Sequence, residues 1–162
     1  MTPLELVADK QLPLLEIIRR RNGWRNVSHR TVFTNGVFDI IHPGHLTYLA
    51  AAAGLGQRLI IGVNSDESVR RLKGDARPIM PQEARMQLLA SLFFVDAVVP
   101  FDEDTPLELI TALRPDVLVK GGDYTEETIV GAPEVRSWGG EVQVIPFIEG
   151  YSSSSIIERI RG

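Results

Sequence analysis

The sequence predicts an α/β fold, a five-stranded parallel sheet with helices on both faces. Three observations predict it. Five short runs rich in β-branched and apolar residues (31–34, 58–64, 96–101, 116–120 and 141–146) alternate with segments at helical spacing. Helix starts and stops mark the intervals, with Pro, Ser or Thr ahead of a segment and Gly behind it. The chain has 162 residues, 44% of them hydrophobic, which suits one domain with a sizeable core. Strands that alternate with helices pair in parallel, and helices then cover both sheet faces.

The elements follow in order. Residues 1–29 form an N-terminal helical extension. It opens on the capping box Thr2-Pro3-Leu4-Glu5, restarts at Pro13, carries the stripe Leu14, Ile17, Ile18, and ends at Asn22-Gly23. Arg19, Arg20 and Arg21 are expected to be a solvated helix end. Strand 31–34 leads to a helix over 43–53, closed by Gly54. Strand 58–64 leads to a short helix through Lys73, capped by Ser65 or Asp66. Residues 70–81 are the expected mobile loop, and 81–93 a long amphipathic helix. Strand 96–101 precedes a helix to Leu113, started by the capping box Thr105-Pro106-Leu107-Glu108. Strand 116–120, a short helix over 133–138, strand 141–146 and a helix over 153–160 complete the chain.

Composition excludes several classes. There is no cysteine, hence no disulfide, thiol nucleophile or cysteine metal site. The net charge of −4 gives no basic surface for nucleic acid, so any phosphate site must draw on local positive charge. No run is long enough to span a membrane, and the N-terminus lacks a signal-peptide pattern. A cytoplasmic protein with no membrane or nucleic-acid partner is expected. Gly54-Leu55-Gly56 stands after a helix and before a strand, the wrong side for a dinucleotide fingerprint.

One stretch organises the rest: Thr34-Asn35-Gly36-Val37-Phe38-Asp39-Ile40-Ile41-His42-Pro43-Gly44-His45. It reads as a strand end, a glycine turn at Gly36, and a helix with Pro43 in its first turn. A helix start is an anion site, because its N–H groups point outward and its dipole favours negative charge. His42 and His45, two of only three histidines, lie three residues apart on one face, within reach of a single phosphate. In parallel sheets ligands bind beyond the carboxyl ends of the strands, where strand order reverses. Gly121-Gly122-Asp123 follows strand 116–120 at that edge, and paired glycines allow a flat base or ribose to approach. Ser152-Ser153-Ser154-Ser155 precedes Ile156, Ile157 and Ile160, so it opens an amphipathic helix whose hydroxyls and N–H groups converge on an anion.

Gly36-Val-Phe-Asp39-Ile-Ile-His42-Pro-Gly-His45 resembles the signature of the nucleotidyltransferase superfamily that carries a His-x-Gly-His motif. With Arg77-Pro-Ile, Thr105-Pro, the segment 115–124 and the serine run, the chain is similar to the adenylyltransferases of D-glycero-β-D-manno-heptose 1-phosphate, in stand-alone form. The resemblance implies a Rossmann-like sheet and ATP plus the sugar phosphate giving ADP-heptose and pyrophosphate, for a lipopolysaccharide inner core or related glycan. It implies catalytic roles for His42, His45 and Lys73. ATP contacts are expected at Thr34, Asn35, Gly36, Phe38, Gly44, Arg85, Gly121, Gly122, Asp123 and the four serines Ser152, Ser153, Ser154 and Ser155. Asp39, Asn64, Lys73, Arg77 and Lys120 are expected on the acceptor. Mg2+ is expected on the ATP phosphates rather than on a protein metal site. A homo-oligomer is expected. The cytidylyltransferases carry an arginine just before the serine motif, and residues 147–150 here have none. Transfer to glycerol 3-phosphate or pantetheine phosphate, or a nucleotide sensor without turnover, are the other readings.

Overall fold

In the computed structural model, which describes residues 1–122 and 124–162, the β-branched runs form five strands: β1 (Thr31–Gly36), β2 (Arg58–Asn64), β3 (Ala97–Phe101), β4 (Val117–Gly121) and β5 (Glu141–Ile145). All pairings are parallel, in the order β3-β2-β1-β4-β5. Buried side chains fill both faces, with Phe33, Ile60 and Leu118 in one cluster and Val32, Ile61 and Val119 in the other. Alternate residues of each strand thus feed opposite layers, as the period-2 geometry of a strand requires.

The helices are α1 (Pro3–Asp9), α2 (Leu14–Asn26), α3 (Pro43–Ala53), α4 (Asp66–Lys73), α5 (Gln82–Ala90), α6 (Leu107–Leu113), α7 (Ala132–Ser137) and α8 (Ser153–Arg161). The expected five-stranded parallel sheet with flanking helices is therefore the observed one. Among the described residues no helix is long and apolar enough to cross a membrane.

Some boundaries differ from expectation for tertiary reasons. Helix α2 runs through Asn22-Gly23 to Asn26 because its far end is anchored. Arg21, expected in solvent, is 2% exposed and donates to Arg114 O at 2.7 Å. Trp24 packs against the core beside it. Helix α5 stops at Ala90, where the Ser91 hydroxyl donates back to Leu88 O. Helix α6 has no side-chain cap, so Thr105 does not form the expected box. The segment before α2 is also not wholly helical: Leu12 N donates to Val98 O and Val98 N to Lys10 O, covering the edge of β3.

The sheet opens where the site will lie. Strand order reverses between β1 and β4, the switch point of such sheets. The β1–β2 ladder continues to Gly36↔Val63, but β1–β4 pairing ends at Phe33↔Leu118. Beyond that point Tyr48 of α3 fills the gap. Its hydroxyl hydrogen-bonds Thr34 Oγ1 and donates to Val119 O at 3.3 Å. A buried tyrosine hydroxyl thus satisfies polar groups of two parting strands and fixes α3 over the crevice.

Candidate active site

A cavity of about 680 Å³ occupies this carboxyl edge. Its wall draws on the β1–α3 loop, the end of α4, the β4 and β5 ends and the start of α8. His42 and His45 stand on its wall. His42 is the N-cap of α3, and its Nδ1 accepts from Gly44 N at 3.1 Å and His45 N at 3.4 Å. His45 reciprocates, its Nδ1 accepting from His42 N at 3.3 Å. The rings stack with centroids 3.8 Å apart. This is a capping box built from imidazoles instead of Ser and Glu.

The arrangement fixes the chemistry. A neutral imidazole has one donor nitrogen and one acceptor nitrogen. Because both Nδ1 atoms accept, both Nε2 atoms carry the proton and are donors. Burial pushes His42 below its ordinary pKa. Burial, with repulsion from His42, takes His45 down to about 4. Both rings are therefore neutral near pH 7. The expected outward N–H groups of Gly44 and His45 are consumed by His42; the imidazoles hand that donor capacity on through Nε2. Gly44 has to be glycine: a Cβ there would lie 2.9 Å from two His42 ring atoms and 3.1 Å from Tyr151 Cβ. We expect Gly44→Ala to bring no gain in melting temperature, since the helix preference of alanine, about 0.8–1 kcal/mol, is offset by the displaced His42 cap, worth about 1 kcal/mol. The same variant should lose most activity because the His42 ring must move, and thermal melts beside steady-state rates check the pair.

Asp39 has a structural part beside the one expected. Its side chain is fully buried, and its oxygens accept from Arg77 Nε, Ile79 N and Met80 N at 2.8, 2.8 and 2.9 Å. Asp39 also stands on the cavity wall, where Oδ1 keeps one lone pair. It pins residues 77–80 against the cavity, so the expected mobile loop is helical at 70–73 and anchored at its far end. Burial opposes the charge, but the Ile79 and Met80 N–H groups and the Arg77 guanidinium outweigh it and hold the carboxyl below its ordinary pKa. A carboxylate with a depressed folded pKa adds stability that is complete above its unfolded pKa and is lost as pH falls through the folded one. The latch should therefore hold through the neutral range. Asp39→Asn, which leaves the Arg77 charge short of its partner, should cost on the order of 3–5 kcal/mol and flatten the acid limb of the stability curve. Denaturant midpoints between pH 3 and 7 test both.

Arg85 also departs from expectation. It is 1% exposed and lies off the cavity wall. Its guanidinium donates to Met80 O, Val37 O, Asn64 O and Asp66 Oδ1 at 2.7–2.9 Å. It joins the β1–α3 loop, the β2 end and the loop before α5 from behind, so it shapes the cavity without lining it. That loop holds Phe38 and Ile40 at positive φ. Gly36 is not the turn: the Phe38 ring packs over it, 3.0 Å from where a Cβ would stand.

The remaining expected residues divide. Asn35, Gly36, Phe38, Gly44, Asn64, Lys73, Arg77, Lys120, Gly121, Ser152, Ser153 and Ser154 all contribute to the wall. Thr34 is buried behind it, and Gly122 and Ser155 also lie off it. Asp123 lies outside the described residues. Three cations, Lys73, Arg77 and Lys120, meet at the cavity of a chain with net charge −4. Lys120 Nζ sits 5.3 Å over the Tyr124 ring, and burial lowers its pKa. At α8 the hydroxyls are mostly committed. Ser152 Oγ accepts from Ser155 N, Ser155 Oγ donates to Ser152 O, and Ser153 Oγ donates to Ile40 O. An anion there would meet the Ser153 and Ser154 N–H groups and the hydroxyls of Ser152 and Ser154, not four hydroxyls. Sequence reading missed Tyr48, Phe147 and Tyr151, whose rings reach the site from other elements; their aromatic character near glycines was the only signal.

The profile of the cytidylyltransferase-like family matches residues 33–159. The chain belongs to the cytidylyltransferase-like family. It is accordingly a nucleotidyltransferase, with the family match enclosing both histidines and the four serines. It is 51% identical over 153 residues to the bifunctional protein HldE of Methylobacillus flagellatus, covering 94% of this chain and 31% of the relative. With the HldE of Cronobacter sakazakii it shares 57% over 137 residues, 85% of this chain and 29% of the relative. The chain thus spans under a third of the length of these curated relatives. Among solved structures it resembles a lipopolysaccharide core biosynthesis protein from Thermoplasma volcanium, with a TM-score of 0.60 and 27% identity, over 77% of this chain and 100% of that one.

Proposed function

We propose that this chain transfers AMP from ATP to a sugar 1-phosphate, D-glycero-β-D-manno-heptose 1-phosphate, releasing pyrophosphate. The observation that carries the reading is the pair of neutral imidazoles. Their Nε2 donors share one cavity with the serine helix start and three cations. High identity to HldE proteins and likeness to a lipopolysaccharide core biosynthesis protein support the acceptor class and a role in surface-glycan assembly. The reading takes residues 1–162 as one nucleotidyltransferase domain with N-terminal helices covering β3, acting in the cytoplasm where ATP is supplied. Exposed Phe93, at 92%, and Leu88 support self-association, which sedimentation tests.

The acceptor phosphate oxygen is already anionic, so it attacks the α-phosphorus without a general base, and pyrophosphate leaves in line. Rate then comes from positioning and from donors aimed at developing charge. The His42 and His45 Nε2–H groups meet the α- and β-phosphate oxygens. Ser153 and Ser154 N–H groups, at the positive end of α8, hold the terminal phosphates. Lys73 and Arg77 bring the two anionic substrates together. Mg2+ is read as part of the ATP substrate, carried on phosphate and water oxygens, the ligands it prefers. A pyrophosphate-release assay with ATP tests the reading across heptose 1-phosphate, glycerol 3-phosphate and pantetheine phosphate. Turnover is expected with the heptose phosphate, and turnover only with another acceptor would reassign the chain.

A further inference from the structure

Phe147 is a large apolar side chain left 68% exposed on the cavity wall. Isolated exposed apolar residues need no explanation, but this one is held in place. A Cβ at Gly121 would lie 2.9 Å from Phe147 Cε1, and one at Gly122 would lie 2.8 Å from Cε2 and 3.3 Å from Cζ. The ring therefore rests on the backbone of both glycines, which can be approached so closely only because neither has a side chain. Gly121 is pressed from its other side by the buried Tyr48 ring, 3.0 Å from the same Cβ position. Gly122 N donates to Ile145 O at 3.0 Å, so the floor is tied to the strand that delivers Phe147 two residues later. One face of the ring is thus fixed and the other is open to the cavity. The diglycine, expected to receive a flat base directly, receives Phe147 instead.

We propose that the open face of Phe147 is the platform on which the nucleobase of the triphosphate stacks. The inference rests on the ATP reading and deepens it by naming what grips the base. A flat apolar face held by backbone keeps its geometry when a base arrives, and it grips any base through its π surface. Discrimination among bases then falls to polar groups around it. The platform adds affinity shared by ground and transition states, so its loss should raise the Kd and KM for ATP while kcat changes little.

Calorimetry and fluorescence on the full chain test this, with ATP and inorganic tripolyphosphate as probes. Phe147→Ala should weaken ATP about tenfold, the size of one lost base-stacking contact, and leave tripolyphosphate unchanged. Phe147→Leu keeps apolar cover over the glycines without a flat face and should behave like the alanine variant. In Phe147→Trp, ATP should quench the new indole and tripolyphosphate should not. Full ATP affinity in both Phe147→Ala and Phe147→Leu would overturn the platform while leaving the nucleotide reading standing. Recovery by leucine alone would make the ring a plug and also overturn it. If neither probe binds the unmodified protein, the nucleotide reading falls and takes the platform with it.

Discussion

His45→Ala is expected to lower kcat by on the order of a hundredfold or more while the Kd for ATP changes little. The asymmetry follows from where the donors point. A neutral Nε2–H gains most when charge grows on the phosphate oxygens, which happens in the transition state rather than on binding. The two rings are also interdependent, since each Nδ1 accepts a backbone N–H at the start of α3. His42→Ala should therefore cost as much in rate and also destabilise the protein by about 1 kcal/mol, because it removes the N-cap. The double variant should be little slower than either single one, as expected for residues acting as a unit. The rings' neutrality sets the pH behaviour. With His45 taken down from 6.5 to about 4, the rate should show no histidine limb near pH 6.5. A depressed folded pKa also means that stability from this ring is full above the unfolded value and is lost as pH falls toward the folded one. Rapid-quench kinetics with equilibrium ATP binding separate these effects, and equal losses in both would contradict the role.

Lys73→Ala is expected to lose most activity with an almost unchanged melting temperature. Lys73 is the last residue of α4, exposed, on the cavity wall, and followed by Gly74 at φ 94°. An exposed side chain at a helix end contributes within about 0.5 kcal/mol to stability. Its ammonium nevertheless faces the space where two polyanions must meet. The helix behind it is fixed by Ser65 at its N-cap and by Arg71 on Asp104 at 3.0 Å, so the charge is delivered to one place. Lys73→Arg should recover only part, because a guanidinium fork is not a compact point charge. Steady-state kinetics beside thermal melts test both variants. A wild-type kcat/KM in Lys73→Ala would move the role to Arg77 or Lys120.

The features legible in the sequence are those made by neighbours in the chain. His42, Pro43, Gly44 and His45 lie in one helical turn, so spacing alone places both rings on one face. Strands β2 and helix α3 match their expected ranges because β-branched runs and a Pro start are local signals. What spacing cannot show is which distant groups claim a side chain first. Asp39 and Arg85 sit in motif positions, yet their polar atoms bond residues 19 or more positions away, or the Met80 carbonyl of the adjoining loop. Arg21 looks like the end of a basic run until Arg114 O, 93 residues on, draws it inward. Phe147 and Tyr48 reach the glycine floor from two separate elements, and no periodicity relates them.

In the proposed reaction the bond broken lies between the α- and β-phosphates, and the AMP moiety passes to the sugar phosphate. Following label from ATP tests it most directly. With α-labelled ATP and heptose 1-phosphate, label is expected in the nucleotide sugar; with γ-labelled ATP, it is expected in pyrophosphate alone. Label from the γ position on the sugar, or released as orthophosphate, would contradict it and make the protein a kinase or a hydrolase.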